Sequence, residues 1–318
     1  MESEQIKAAA TVIRQGGLVA FPTETVYGLG ANALAPVAVA RIFELKERPA
    51  FDPLIVHIAS REELALLTAG PVPGAQELSM RFWPGPLTII LPKSRHVPDI
   101  VTSGLPTVGI RMPDHEIALQ LIREAGCPIA APSANKFGKL SPVTAAHVRK
   151  QLPQIDYILD GGVTRVGIES TIVSLEGNVC TLLRPGIITL AEIREVLSSD
   201  FVINTYKTEK MISPGLLKSH YSPLKPLFFI ENLKSSLPPG SGLIVHERKK
   251  SFPSCDKLIL TSEDYNYREI AANLFSALHA MEDDNRVKQI FIEPVRETGL
   301  GTAIMDRLKR ATYQYQSN

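Results

Sequence analysis

The chain lacks any paired-cysteine motif. Its three cysteines, Cys127, Cys180 and Cys255, lie far apart, and so sparse and odd a set argues against a disulfide framework and against a thiolate zinc site. Each reads as a small buried apolar residue. No HxH, HExxH or DxD pattern occurs and no serine–histidine–acid order stands out, so neither a bound metal nor a side-chain nucleophile is expected. No run approaches the roughly 18 uninterrupted apolar residues of a membrane span. The N-terminal MESEQIKAAA carries two glutamates before any apolar run, unlike a signal peptide. A cytoplasmic protein with no membrane segment is the expectation. Bulk charge is also missing, because 34 basic against 33 acidic residues leave +1. Contact with nucleic acid or polyphosphate would therefore need local clusters of basic residues.

At 318 residues, with 44% hydrophobic and 21% charged, the chain has the make-up of a globular protein of two domains. Helical spacing over 4–15 ends at Gly16-Gly17, and LVAF follows as a buried strand. Helices are predicted over 36–47, 61–68, 74–82, 115–125, 143–151 and 190–198. Strands are predicted at LIVHI, 87–91, 107–111, 128–131, 157–160 and 171–175. The mixture predicts an α/β domain around a mixed sheet. From Asn204 to Pro226 the periodicity fails; TYKTEKMISPGLLKSHYSPLKP holds three prolines, a glycine and four lysines and reads as a linker. Beyond it LFFI, GLIVH, KLILT, a helix over 267–282, QIFIEP and a helix over 301–312 predict a small parallel, Rossmann-like sheet. The expected division is 1–203, a linker over 204–226, and 227–318.

Five segments could carry chemistry. FPTETVYGLG offers Thr23, Thr25 and two glycines after a strand, either as a ligand-cradling loop or as a turn that needs glycine. It has neither the Walker lysine nor the dinucleotide spacing. In KERPAFDPLIVH, Lys46 and Arg48 close a helix, where the dipole favours cations. His57 interrupts an apolar strand, as a satisfied core residue or as a site residue. TVGIR ends a strand on Arg111, a bidentate fork for carboxylate or phosphate. APSANKFGKLSP strings together Ser133, Asn135 and Ser141, which suits phosphate oxygens or two turns and a cap equally. GIEST and LLRPG add Ser170 and Arg184. Together these place hydroxyls and single arginines at strand ends, where open α/β sheets bind ligands. Such a site positions anions, which is most of what phosphoryl and nucleotidyl transfer require.

These segments in their order, FPTETVYGLGANA, KERPAFDPLIVHI, FWPGPLTIIL, TVGIRMP, APSANKFGKLSP, VGIESTIV, LLRPG and SPGLLKSHYSP, closely resemble the threonylcarbamoyl-AMP synthase family, the YrdC-like proteins, in its long two-domain form. The match runs from residue 21 to 223. The smaller domain fits that form in size, position and pattern. The resemblance implies a YrdC-like twisted mixed sheet flanked by helices. It also implies synthesis of threonylcarbamoyl-AMP and pyrophosphate from ATP, L-threonine and bicarbonate. Mg2+ would accompany ATP, and the product would pass to a tRNA threonylcarbamoyl transferase complex. By motif position, Thr25, His57, Arg111, Ala131 and Ser170 would surround threonine, with Arg111 on its carboxylate. Arg48, Thr107, Ser133, Ser141 and Arg184 would contact ATP, with Lys46 and Asn135 close by.

Tyr221, in HYSP, would close over the nucleotide. The linker then reads as a lid made of Ser213-Pro-Gly and His220-Tyr-Ser-Pro, excluding water from a fragile carbamate and mixed anhydride. Asp52, a further ATP contact by motif position, stands where the family often has Asn. A carboxylate beside a triphosphate is repulsive unless magnesium or a ribose hydroxyl intervenes, so Asp52→Asn is expected to retain or raise ATP affinity. Two other readings compete. A structured-RNA-binding module, with direct RNA contact, would want more Lys and Arg per motif. Carbamoyl transfer of the hydrogenase-maturation kind would need zinc-finger cysteine pairs, which the chain lacks.

Overall fold

A computed structural model describes residues 2–205, 219–230, 236–249 and 251–315. Helix α1 (Glu2–Arg14) stops where Gly16 takes φ +80, a conformation glycine adopts without strain. The chain continues through β1 (Val19–Phe21), β2 (Gly28–Asn32), α2 (Pro36–Lys46) and β3 (Ile55–His57). Pro36 opens α2, where its missing N–H costs nothing. Next come α3 (Leu64–Leu67), α4 (Ala75–Phe82), β4 (Leu87–Pro92), α5 (Asp99–Thr102) and β5 (Thr107–Arg111). Helix α6 (Glu116–Ala125), β6 (Ile129–Ala130), α7 (Ala145–Gln151) and β7 (Tyr157–Ile158) follow. Then β8 (Thr171–Glu176), β9 (Val179–Arg184), α8 (Leu190–Val196) and β10 (Val202–Thr205) complete the first body.

Its sheet is mixed, in the order β10-β9-β8-β4-β5-β3-β6-β2-β1-β7. Strands β3 and β5 are parallel and set His57 opposite Arg111. Strand β4 runs antiparallel to β5 and parallel to β8, and β9 returns antiparallel to β8. This alternation gathers the end of β5, the start of β8 and the end of β9, so Arg111, Ser170 and Arg184 meet. Helices α1 and α6 cover one part of the sheet through Ile6, Ile13, Leu121 and Ile122. Helix α2 packs Val39 and Ile42 against Leu29 and Val56 in the larger core.

The second body holds β11 (Leu227–Phe229), β12 (Ser241–Val245), β13 (Lys257–Leu260), α9 (Tyr267–Asp283), β14 (Gln289–Ile292) and α10 (Leu300–Thr312). Its sheet is wholly parallel, in the order β11-β14-β12-β13. Asn266 caps α9 by accepting from the N–H groups of Arg268 and Glu269. The two bodies share an apolar core in which Val26, Leu140, Val143, Ile168 and Tyr221 pack with Leu274, Phe275 and Leu278. At Gly167, φ +77, a Cβ would lie 2.4 Å from the Ala271 carbonyl, so a side chain there would push α9 away.

The observed elements depart from the sequence expectation at several points. Strands β2, β9 and β10 and the short α5 have no counterpart in the predicted elements. The predicted helix over 61–68 shrinks to a 3-10 turn at Arg61–Glu63 followed by α3. Gly30 does not serve a ligand: a Cβ there would meet the Phe21 ring at 2.7 Å, so the glycine makes room for that ring across β1 and β2. Strand β10 carries the first sheet to Thr205. Ser213-Pro-Gly lies outside the described residues.

Candidate active site

One cleft opens where these strand ends converge, enclosing about 550 Å3 of space with its open mouth included. Thr25, Arg48, His57, Arg111, Ala131, Ser133, Ser170, Arg184 and Tyr221 all line it. They come from segments spread over nearly two hundred residues of chain.

At one end, Arg111 Nη1 donates to Thr25 Oγ1 at 2.9 Å. Thr23 Oγ1 gives its proton to the Val26 carbonyl at 2.7 Å, so across the 2.9 Å pair of hydroxyls Thr25 must be the donor. Thr25 therefore keeps one lone pair to accept from a ligand. Arg111 Nη2 stands 2.5 Å from Glu24 Oε2 as a buried ion pair, and neither Glu24 oxygen accepts a hydrogen bond. Burial, then the Arg111 cation, pushes His57 down to about 3. The ring is thus neutral near pH 7, and its buried Nδ1 has no hydrogen-bond partner. The Ala131 N–H donates to the Ile55 carbonyl, so its own carbonyl is the group it can offer.

At the other end, Arg184 donates through Nε to the Ser170 carbonyl and through Nη2 to Ser170 Oγ, both at 3.1 Å. Ser170 Oγ also shares a 2.8 Å contact with Thr88 Oγ1. Among the described residues no carboxylate lies within ion-pair distance of Arg184. Arg48 donates to the Asp52 and Pro53 carbonyls at 3.0 and 2.9 Å and pairs with Asp52 Oδ1 at 2.9 Å. Tyr221 takes φ 61 and is 1% exposed. Its ring packs against His220 and Phe275, with centroids 4.1 and 5.6 Å away. Burial, then the Glu169 charge, pushes its phenol up to about 12, and the hydroxyl has no partner. It is therefore a donor, on a residue that lines the cleft, unclaimed by the protein.

Four expected residues stand behind the lining. Lys46 Nζ donates to the carbonyls of Ser133 and Asn135 and so braces that loop. Burial and the neighbouring Arg48 hold its ammonium well below the usual lysine range. Asn135 Nδ2 donates to the Lys136 and Lys139 carbonyls. Ser141 Oγ donates to Glu169 Oε1 at 2.5 Å. Asp52 faces Arg48 and not the cleft, which removes the reason for expecting it to repel a triphosphate. Thr107 is not brought to the lining; it shares the face of Arg111 but lies four residues earlier, roughly 13 Å along β5.

Glu24, Glu169 and Arg307 were not singled out from the sequence. Glu24 and Glu169 lie inside motifs whose hydroxyls drew the assignments. Arg307 had one signal: it falls in the stripe of α10 where Ala303, Ile304, Leu308 and Ala311 are buried, a face where arginine is rarely left without a partner. Among the described residues no group of three His, Cys, Asp or Glu side chains gathers, and no helix is long and apolar enough to cross a membrane.

The Sua5/YciO/YrdC family profile, described as "Telomere recombination", matches residues 11–186. A second, described as "Threonylcarbamoyl-AMP synthase, C-terminal domain", matches residues 188–312. The chain is similar to the threonylcarbamoyl-AMP synthase of Pyrococcus abyssi, 44% identical over 98% of this chain and 95% of that one. It is likewise similar to that of Bacillus subtilis, 46% identical over 96% and 92%. The crystal structure of P. abyssi Sua5 complexed with L-threonine superposes with a TM-score of 0.89 at 43% identity, covering 98% and 95%.

Proposed function

This chain belongs to the threonylcarbamoyl-AMP synthase family in its two-domain form, and from that premise we propose how its cleft carries the reaction. The chain makes threonylcarbamoyl-AMP, a nucleotidyl transfer that serves tRNA modification. The threonine amine adds to the carbon of bicarbonate, water leaves, and a carbamate forms. A carbamate oxygen then bonds to the α-phosphorus of ATP, the anhydride bond to the β-phosphate breaks, and pyrophosphate departs.

Threonine sits at the Arg111 end. Arg111, held in place by Thr25, Glu24 and the Gly85 carbonyl, gives its remaining terminal N–H groups to the substrate carboxylate, and the remaining lone pair of Thr25 accepts from the substrate nitrogen. The Ala131 carbonyl and neutral His57 complete that half, and Ser170, held by Arg184, stands where it meets the phosphate half. ATP lies toward Arg48, Ser133 and Arg184, with Lys46, Asn135 and Ser141 holding the loop behind it. Thr107 marks the outer limit of the same face. Arg184, without a carboxylate of its own, neutralises charge on the phosphates. Tyr221 donates to the nucleotide and, with His220, keeps water from the carbamate and the mixed anhydride.

Among the described residues near the cleft, Glu24, Asp52 and Glu169 are each paired with an arginine; on this reading Mg2+ accompanies ATP, held by its phosphates. On this reading the protein works in the cytoplasm and passes its product to a tRNA threonylcarbamoyl transferase complex. The RNA-binding alternative is disfavoured because Lys46, Arg48, Arg111 and Arg184 are all buried in or behind the cleft, not spread over a surface.

The observation that carries the proposal is the convergence of those nine side chains on one cleft. Pyrophosphate release from ATP, measured with threonine or bicarbonate omitted in turn, tests it. Release should need both; release indifferent to threonine defeats the proposal.

A further inference from the structure

Helix α10 belongs to the second body, yet its Arg307 reaches the wall of the cleft and is 1% exposed there. Its Nε donates to Glu169 Oε2 at 2.9 Å and its Nη2 to the Glu169 carbonyl at 3.3 Å. Nη1 donates to the Pro185 carbonyl at 2.7 Å, beside Arg184, and to Asp306 at 3.0 Å. The guanidinium carbon stands 5.5 Å from the centre of the Tyr221 ring. One side chain of the second body thus touches the residue after Arg184, the lid tyrosine, and the carboxylate that receives the Ser141 proton.

The geometry points to Arg307 as a positioning residue for nucleotide binding, through which the second domain cancels the Glu169 charge and seats Tyr221. The inference rests on the reading of the cleft given above. Glu169 lines the cleft near Arg184, the end assigned to phosphates. A buried carboxylate left uncompensated there would repel a triphosphate and take up the free charge of Arg184. Burial alone would raise the Glu169 carboxyl, but Arg307 and Arg184 outweigh it and hold the group below the usual range. The flat fork of the guanidinium fits this place: two donors grip Glu169, a third grips Pro185, and the face lies near the ring of Tyr221. Lysine could supply the charge but not the fork.

The test uses the full chain as Arg307→Gln, Arg307→Lys, Glu169→Gln and the Arg307→Gln/Glu169→Gln double variant, read by pyrophosphate release. Arg307→Gln should raise the KM for ATP by about tenfold while leaving the KM for threonine within about twofold. The double variant should recover most of that loss, because the uncompensated carboxylate is gone as well; a purely structural role would leave it no better than the single. Arg307→Lys keeps the charge but not the fork and should raise the ATP KM about three- to fivefold, which keeps the inference open to test should Arg307→Gln fail to fold. An ATP KM within twofold of native in either single Arg307 variant overturns the inference, as does a double variant no better than Arg307→Gln. Should native release ignore threonine, the functional reading fails by itself, while the ATP dependence of these variants is still measured.

Discussion

Arg111 and Glu24 form a buried ion pair, Nη2 to Oε2 at 2.5 Å, at the end of the cleft where Thr25 accepts from the same guanidinium. The fork is thereby held in plane before any substrate arrives. Arg111→Lys keeps a cation but loses the second donor, which a charge-assisted pair values at about 1.5–3 kcal/mol. The KM for threonine should rise by roughly one to two orders of magnitude while that for ATP changes little. Steady-state kinetics with each substrate varied decides it; equal rises in both would remove Arg111 from the threonine half.

His57 gives a pH prediction. Its folded value is depressed to about 3 from an ordinary 6.5, so the unfolded chain binds the proton more readily. The stability it contributes is complete above about pH 6.5 and is lost as the pH falls toward 3. The slope is about 1.4 kcal/mol per pH unit. His57→Gln removes that loss, so the stability of native minus variant should shrink as unfolding is followed from pH 7 to pH 4. A constant difference would mean that the histidine is charged in the folded protein.

Asp52 has a specific partner in Arg48, and its carboxylate also balances Lys46 and Arg184. Asp52→Asn leaves buried cations uncompensated, at about 3–5 kcal/mol. In a domain of this size that lowers Tm by roughly 6–20 °C. ATP supplies the missing negative charge, so it should raise the Tm of the variant by more than that of the native protein, with the KM for ATP no worse than about threefold. An equal ATP-induced shift in thermal unfolding would contradict the pairing.

The Tyr221 hydroxyl is buried without a partner, so Tyr221→Phe removes one donor to the nucleotide. A three- to tenfold loss in kcat/KM for ATP follows from about 0.5–1.5 kcal/mol. Deleting 213–223 should abolish synthesis and leave the first domain folded by circular dichroism. Full turnover by the truncated chain would end the idea of a lid.

Much of the fold was legible because long amphipathic helices and apolar strands announce their own periodicity. Helices α6, α9 and α10 and strands β3, β5 and β8 fall within a few residues of their predicted places. Strand β10, VINT at a largely exposed edge, and the glycine-rich β2 carry little hydrophobic signal, because their partners alone define them. The site was legible as a set of motifs, since hydroxyls and arginines at strand ends stand out from apolar neighbours. What remained hidden was which groups hold one another. Asp52 reads from the sequence as a group facing phosphate, whereas the fold pairs it with Arg48. Arg307 lies 138 residues from Glu169, and no local pattern links them.

On this reading of the cleft, one site joins threonine, the carbon of bicarbonate and the AMP moiety of ATP. The decisive experiment incubates the protein with ATP, threonine and isotopically labelled bicarbonate and follows the products by mass spectrometry. One species of threonylcarbamoyl-AMP mass should carry the label and be absent when threonine is withheld. AMP and pyrophosphate formed with no labelled adduct, or an adduct made without threonine, would contradict that reading.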